Sequence, residues 1–253
     1  MSLLSREEYR DYCKRFDIVW KYLSSCSYEV NSVVEKICEL RGYSLEGSMP
    51  ETLKNIGFLY LDKEVFDEQK LKLVDAKGDL GLYSTEGKFL LTTRFIFPVK
   101  DMLGNIIALI GWFPDEKKYI TTPSRLFSKQ GIFFGMEQLS ETGIGKKYFL
   151  VEGIFDCISI RSLGFNCVAL MGISANNNSK VLYTLFSRLV AIPDNDKQGR
   201  KVIENDLWGI PTNASYLRWK NNVKDIDDMI KFYDMSNTLS DALKEKDRVL
   251  VID

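Results

Sequence analysis

Two short acidic elements, Val-Glu-Gly at residues 151–153 and Asp-Asn-Asp at 194–196, have the residue types and the setting of a metal site. Each follows an apolar run of strand type, residues 147–151 and 188–193. In an open parallel sheet, ligands bind beyond the carboxyl ends of the strands, so both elements would meet at one edge. Clustered carboxylates raise each other's pKa unless cations lie between them. Hard divalent ions, Mg²⁺ above all, prefer such oxygen ligands, and we expect a phosphate-handling metal site here.

Each acidic element also has a purely structural interpretation. Glu152 could end a strand in solvent, and Asp156 would be favourable in the first turn of a helix. Asp196 could simply be a helix N-cap. The two elements together are more demanding, because a Glu-Gly after one strand and an Asp-x-Asp-x-x-Gly after another, with one strand between, is an uncommon combination. The combination therefore favours the metal site.

Composition narrows the chemistry. The 253 residues suit one large domain or two modest ones, and the hydrophobic content of 45% is that of an ordinary globular protein. There is no histidine, which excludes histidine bases and histidine-ligated zinc. No cysteine pair has Cys-x-x-Cys spacing, so we expect reduced thiols and no zinc. The five cysteines are Cys13, Cys26, Cys38, Cys157 and Cys167.

The net charge of −1 gives no global argument for nucleic-acid binding, but the local charge distribution is uneven. Residues 88–129 contain seven basic and three acidic residues, which predicts an electropositive surface. The N-terminus becomes charged too early for a secretory signal, and no apolar run reaches the length of a membrane span. We therefore expect a cytoplasmic protein without a membrane contact.

Residues 1–60 are predicted to be helical. Ser5 and Glu8 fit a capping box, a second helix is expected over 29–40 with a stop at Gly42, and a third after Pro50. Residues 61–130 are mixed. Phe89–Leu91 and 94–99 have strand character, and 101–105 has the residues of a hairpin turn followed by a returning strand at 106–112.

From about residue 146, strands and helices alternate. Strands are predicted at 147–151, 166–171, 188–193, 214–219 and 249–252, and helices near 155–163, 178–187, 198–208 and 226–233. This alternation predicts right-handed crossovers and a parallel sheet. The fold class is therefore α/β, with an α+β first half, residues 1–145, and a Rossmann-like second domain, residues 146–253.

The second domain resembles the TOPRIM domain, in which a Glu ends one strand and an Asp-x-Asp ends another. The matching positions are Glu152, Asp194 and Asp196. The whole chain resembles the catalytic core of DnaG-type primases over about residues 35–235. The supporting motifs are Arg41-Gly42-Tyr-Ser, Ile56-Gly57-Phe, Arg94-Phe-Ile-Phe-Pro-Val-Lys-Asp101 with Gly104, Lys118-Tyr119-Ile-Thr-Thr-Pro123, Phe127-Ser-Lys129 and Lys224-Asp225-Ile-Asp227.

The resemblance implies an enzyme that synthesises short RNA primers on single-stranded DNA from ribonucleoside triphosphates. It implies that Asp194 and Asp196 hold Mg²⁺ or Mn²⁺, and that Glu152 is a further ligand or a general base. Additional ions could be held by Asp156, Asp225 and Asp227. Nucleotide and template contacts are implied for Arg94, Lys100, Lys118, Tyr119, Lys129, Lys197 and Arg200, although a solvated surface is an equal interpretation of Lys197 and Arg200.

The chain also departs from the family. The zinc-binding and helicase-binding domains are not present in this sequence, so we expect a replicative helicase or a separate zinc-binding subunit as partners, and a phage-like origin. Ile226 replaces the usual Pro, and Thr121 the usual Asn. Two alternatives stay open: a TOPRIM-type metal-dependent nuclease, which would not need the basic residues at 88–129, and a non-catalytic DNA-binding accessory subunit. A topoisomerase is disfavoured because the chain lacks room for strand-passage domains.

Overall fold

The chain forms two compact units, Met1–Ser128 and Lys129–Asp253. The computed structural model describes residues 5–92, 94–116, 118–122, 133–143, 145–171, 183–205, 207–210, 214–219, 223–232, 237, 239–241 and 249–252. Residues 133–143 lie with the second unit, since Phe134 exchanges backbone hydrogen bonds with Ala169. The domain boundary at 145/146 stays a prediction.

Helices form most of the first half of the first unit. They are α1 (Arg6–Ser25), α2 (Val30–Arg41), α3 (Ser48–Ile56) and α4 (Glu68–Val74). The capping box at the start of α1 is present, with Ser5 and Glu8 each satisfying the other's backbone N–H. Gly42 ends α2 in the left-handed conformation, which glycine adopts without steric cost.

A four-stranded antiparallel sheet, in the order β1-β2-β3-β4, completes this unit. Its strands are β1 (Leu59–Tyr60), β2 (Phe95–Lys100), β3 (Ile106–Phe113) and β4 (Lys118–Thr121). The predicted hairpin is confirmed, because β2 pairs with β3 across the turn at 101–105. The strand expected at Phe89–Leu91 was wrong. Phe89 makes only an isolated bridge with Tyr83, and its side chain and that of Leu91 are buried in the core as part of a loop.

The second unit contains a parallel sheet in the order β6-β5-β7-β8-β9, as the alternating pattern predicts. The strands are β5 (Lys147–Val151), β6 (Cys167–Ala169), β7 (Arg188–Ile192), β8 (Ser215–Trp219) and β9 (Val249–Ile252). The helices are α5 (Gln138–Thr142), α6 (Ile154–Ser162), α7 (Lys197–Asn205) and α8 (Ile226–Phe232). Most of the helix expected near 178–187 lies outside the described residues. The α/β class is confirmed.

The order of the strands creates a switch point between β5 and β7. From β5 the chain passes first to β6 on one side and then to β7 on the other. Open α/β sheets bind ligands at such a point, where diverging connections leave a crevice beyond the carboxyl ends of the strands. No helix among the described residues is long and apolar enough to span a bilayer.

Candidate metal centre

Glu152 and Asp194 lie together at the switch point. Val151, the last residue of β5, pairs in register with Ile192, the last residue of β7, so both strands end at the same level. The backbone N–H of Asp194 donates to Glu152 Oε1 at 3.3 Å. The structure thus brings together two acids that are 42 positions apart in the chain.

Asp156 joins the cluster from the first turn of α6. Gly153 allows this close approach, since a Cβ at that position would lie 2.3 Å from Asp156 Oδ2. The side chain of Asp156 is buried, and its Oδ1 accepts the backbone N–H of Asp227 at 3.0 Å. One sequence element therefore directs two carboxylates, those of Glu152 and Asp156, to the same end of the sheet.

The Asp194–Asp196 loop is held from both sides. The Asn195 amide donates to the carbonyl of Val223, and its backbone N–H to that of Lys224, both at 2.7 Å. Asp196 Oδ1 accepts the N–H groups of Gln198 and Gly199, both at 2.7 Å, so Asp196 is also the N-cap of α7. The cap and the metal interpretations are compatible, because this cap occupies one oxygen of the carboxylate.

Gly199 explains the glycine of the Asp-x-Asp-x-x-Gly pattern. A Cβ built on this residue would lie 1.8 Å from the carbonyl oxygen of Asp194. Only a residue without a side chain allows α7 to pack directly on the Asp194 backbone. The glycine therefore fixes the position of the acidic loop.

The Lys224-Asp225-Ile-Asp227 motif lies at the start of α8. Carboxylate oxygens of Asp225, Asp227 and Asp228 lie within 4.8 Å of one another and could hold a metal ion. Asp228 was not among the predicted ligands, although the run of acids in the sequence is a signal for it. Asp227 is the most enclosed of the three: it accepts the Ser159 hydroxyl and pairs with Lys231 Nζ at 2.8 Å. Its role as a ligand stays a prediction.

Like charges and burial make this cluster electrostatically unfavourable without a cation. Burial, followed by the charges of Glu152 and Asp225, raises the pKa of Asp194 to about 7. The pKa of Asp156 is raised well above its ordinary value by burial and by the charges of Asp225 and Asp194. Burial also raises the pKa of Glu152. These effects indicate that the acids lie close enough for their charges to interact, and an oxygen-only donor set fits a hard divalent ion.

We predict that the metal-free protein loses stability as the pH rises from about 4 to 8. The pKa of Asp194 is about 7 in the folded state against 3.8 normally, so the folded state binds the extra proton. This contribution is fully present below pH 3.8 and is lost as the pH rises through 7. Melting temperatures in EDTA at pH 5 and pH 8 measure it. A larger gain from added Mg²⁺ at pH 8 than at pH 5 is expected, and equal gains would contradict the cluster.

We also predict that Lys231→Met lowers the unfolding free energy by about 3 kcal/mol, because it leaves the buried Asp227 carboxylate without its cation. The side chains of this pair are 13% and 3% exposed. Lys21→Met is the matched control: it breaks an i,i+4 pair with Asp17 whose side chains are 74% and 54% exposed, and it should cost less than about 1 kcal/mol. Urea denaturation in EDTA measures both variants, and equal losses would show that the Asp227–Lys231 pair is not buried in solution.

The predicted nucleotide and template residues of the first unit differ in availability. Lys100 ends β2 and is partly buried, whereas Lys118 and Tyr119 are exposed on β4. Lys118 pairs with Glu116 at 2.8 Å. Arg94 packs under Gly111, and its Nη1 donates to the carbonyls of Leu90 and Thr92. Arg94 therefore stabilises the loop that precedes β2 by binding its backbone carbonyls. Its contact with a nucleotide stays a prediction.

The remaining predicted contacts lie in the second unit. Lys197 and Arg200 are exposed at the start of α7, one and four positions after Asp196. Lys129 lies outside the described residues. These roles also stay predictions.

The comparisons agree with this architecture. Residues 149–230 match the family described as Toprim-like. The chain is 28% identical to the DNA primase of Clostridium acetobutylicum over 169 residues, which are 61% of this chain and 28% of that protein. It is 36% identical to the DNA primase of Chlamydia pneumoniae over 123 residues, 45% of this chain and 21% of that protein. The chain thus spans less than a third of the length of these curated relatives.

Solved structures extend the match to nearly the whole chain. A DnaG primase catalytic domain bound to single-stranded DNA gives a TM-score of 0.73 at 17% identity, covering 94% of this chain and 79% of that one. The Aquifex aeolicus primase fragment with zinc-binding and RNA polymerase domains gives 0.70 at 25% identity, covering 94% and 61%. Residues 149–230 of the second unit are therefore similar to Toprim-like domains. The chain as a whole has the fold of the DnaG primase catalytic core, and the resemblance described above is confirmed.

Proposed function

We propose that this protein is the catalytic core of a DNA primase, which synthesises short RNA primers on single-stranded DNA. The observation that carries the proposal is the hydrogen bond from the Asp194 backbone to Glu152 at the switch point, together with the one from the Asp227 backbone to Asp156. Within a primase-core fold, an oxygen-only acidic cluster at this position supports nucleotidyl transfer assisted by a divalent ion.

Asp194, Asp196 and Asp225 would hold Mg²⁺ or Mn²⁺, with Glu152 and Asp156 beside them. Such an ion, when bound, stabilises negative charge on the phosphate that is transferred and on the departing pyrophosphate. The protein's own contribution is positioning: Gly199 and Asn195 fix the Asp194–Asp196 loop before substrate arrives. Glu152 is partly buried and has a raised pKa, so it could also accept the proton of the attacking hydroxyl.

The substrates follow from the same proposal. Ribonucleoside triphosphates and the template backbone are polyanions, and Lys100, Lys118, Lys197 and Arg200 would neutralise their phosphates. A replicative helicase and a separate zinc-binding subunit stay predicted partners, and a cytoplasmic location stays a prediction.

Product analysis tests this function. Purified protein is incubated with single-stranded DNA, labelled ribonucleoside triphosphates, and either Mg²⁺ or Mn²⁺. We expect short labelled RNA that disappears in EDTA. Nicked or shortened DNA without RNA would identify the protein as a nuclease that uses the same carboxylates. DNA binding with neither product, with or without a helicase and a zinc-binding subunit, would identify an accessory factor.

A further inference from the structure

A cleft in the first unit has the chemistry of a nucleotide-binding site. It has a volume of about 710 Å³ and lies between α1 and the β2–β3 hairpin. Its lining includes three cations, Arg10 and Lys14 from α1 and Lys100 from the end of β2, together with the aromatic rings of Tyr9 and Trp20. Clefts of this size accommodate ligands as large as a nucleotide.

The three cations are available for an external anion. Neither Arg10, Lys14 nor Lys100 makes an ion pair with any residue in the described part of the chain. Elsewhere in this unit, Arg15 contacts Asp79 at 2.6 Å and Lys36 contacts Glu39 at 2.7 Å. The positive charge of the three cleft cations is therefore not neutralised by an ion pair within the described part of the chain, and it would attract phosphate groups.

Two acids near the cleft, Asp17 and Asp101, are already engaged. Asp17, which also lines it, pairs with Lys21 at 2.6 Å. Asp101, next to Lys100, accepts the Tyr9 hydroxyl and the backbone N–H groups of Leu103 and Asn105, both at 2.8 Å. These bonds fix the Tyr9 ring and the hairpin turn beside the cations. The lining of the cleft therefore has a net positive charge, and the Tyr9 ring is held in position beside the cations.

Trp20 supplies a flat surface for a base. It is partly buried, and a Cβ on Gly57 would lie 3.4 Å from its Cζ2 atom, so the indole is held against that turn. Proteins that bind single strands combine cations that track the phosphates with aromatic rings on which bases stack. Both components occur here within one cleft.

We propose that this cleft binds nucleotide units of a single-stranded nucleic acid, with phosphates against Arg10, Lys14 and Lys100 and a base against Trp20. The proposal rests on the proposed function, since it assigns a path for the template on the first unit. It assigns α1 to the surface that contacts the single-stranded nucleic acid, and it does not depend on the acidic centre.

The test is a binding titration of a fluorescent oligothymidine in EDTA, repeated over a series of salt concentrations. The double variant Arg10→Ala/Lys14→Ala should bind at least tenfold more weakly, and the slope of log K against log salt should become shallower by about 1.4, at about 0.7 per lost phosphate contact. The control Lys54→Ala/Lys63→Ala removes two exposed lysines that do not line the cleft, and it should keep the wild-type slope.

Substitutions at Trp20 test the stacking contact separately. Trp20→Leu should weaken oligothymidine binding about tenfold, whereas Trp20→Phe, which keeps an aromatic face, should retain most of the affinity. Melting temperatures show whether each variant is folded. If the folded Trp20→Leu and Trp20→Phe variants bind oligothymidine equally well, the base does not stack on Trp20 and the proposal is wrong.

The remaining outcomes separate the two proposals. If the slope of log K against log salt is the same for the cleft double variant and the control double variant, the cleft does not bind the oligonucleotide. This conclusion holds even when the wild type makes RNA. Cleft-dependent binding of oligothymidine without RNA synthesis supports the cleft and overturns the polymerase function. A third outcome is binding of a free ribonucleoside triphosphate that depends on Arg10 and Lys14, without binding of the oligonucleotide. It would identify a nucleotide site and contradict the proposal that the cleft binds a single-stranded nucleic acid.

Discussion

Replacing Asp194 by Asn is expected to reduce RNA synthesis about a thousandfold while the fold is retained. Asn has the same shape as Asp but lacks the charge that holds a divalent ion. Loss of several kcal/mol of charge stabilisation at the transferred phosphate corresponds to about three powers of ten in rate. The rate of labelled nucleotide incorporation at saturating Mg²⁺ measures the effect.

The same Asp194→Asn variant should be more stable than the wild type when metal is removed. The pKa of Asp194 is raised to about 7 by burial and by its acidic neighbours, so the ionised carboxylate is unfavourable at pH 8. The control Glu204→Gln removes an exposed charge on α7 and should change neither rate nor stability. An Asp194→Asn variant that keeps wild-type activity would remove the acidic centre from the mechanism.

Replacing Gly199 by Ala is expected to reduce RNA synthesis about a hundredfold and to lower the melting temperature. The added Cβ would lie 1.8 Å from the Asp194 carbonyl oxygen, so the acidic loop or α7 must move by about an ångström. A displacement of that size in a reacting constellation costs about two powers of ten in rate. Activity and melting temperature are measured on the same preparation.

The predicted loss of stability in Gly199→Ala is opposite to the effect of helix propensity, by which Ala is more favourable than Gly within a helix. Gly to Ala within a helix normally stabilises by about 1 kcal/mol, and Gln198→Ala on the exposed side of α7 is the matched control. The control should be neutral or slightly stabilising. A Gly199→Ala protein that is more stable and fully active would show that α7 does not pack on the Asp194 backbone.

The sequence predicts that Glu152 and Asp194 lie close together, because this geometry follows from the sheet. Parallel strands of matched register end at one level, so residues that directly follow β5 and β7 must be neighbours. The glycines at 153 and 199 are likewise interpretable, because a Cβ at residue 153 would clash with the Asp156 carboxylate and one at residue 199 with the backbone carbonyl of Asp194. The strand–helix alternation of the second unit and the capping box of α1 depend on local patterns and are confirmed.

Other features depend on packing that no local pattern contains. Asp227 and Lys231 have the spacing of an ordinary surface pair, but the pair is buried, and Asp227 also accepts the hydroxyl of Ser159 on α6. Phe89 and Leu91 have the composition of a strand but fill the core from a loop. Arg94 satisfies backbone carbonyls, which its position in a basic segment does not indicate.

The most direct test of the acidic centre is a titration with Mn²⁺ followed by electron paramagnetic resonance, in which the signal of free Mn²⁺ reports how much stays unbound. The wild type should bind Mn²⁺, and Asp194→Asn should lose most of that binding while Glu204→Gln retains it. Undiminished Mn²⁺ binding by folded Asp194→Asn protein would contradict the assignment of this switch point as the metal centre.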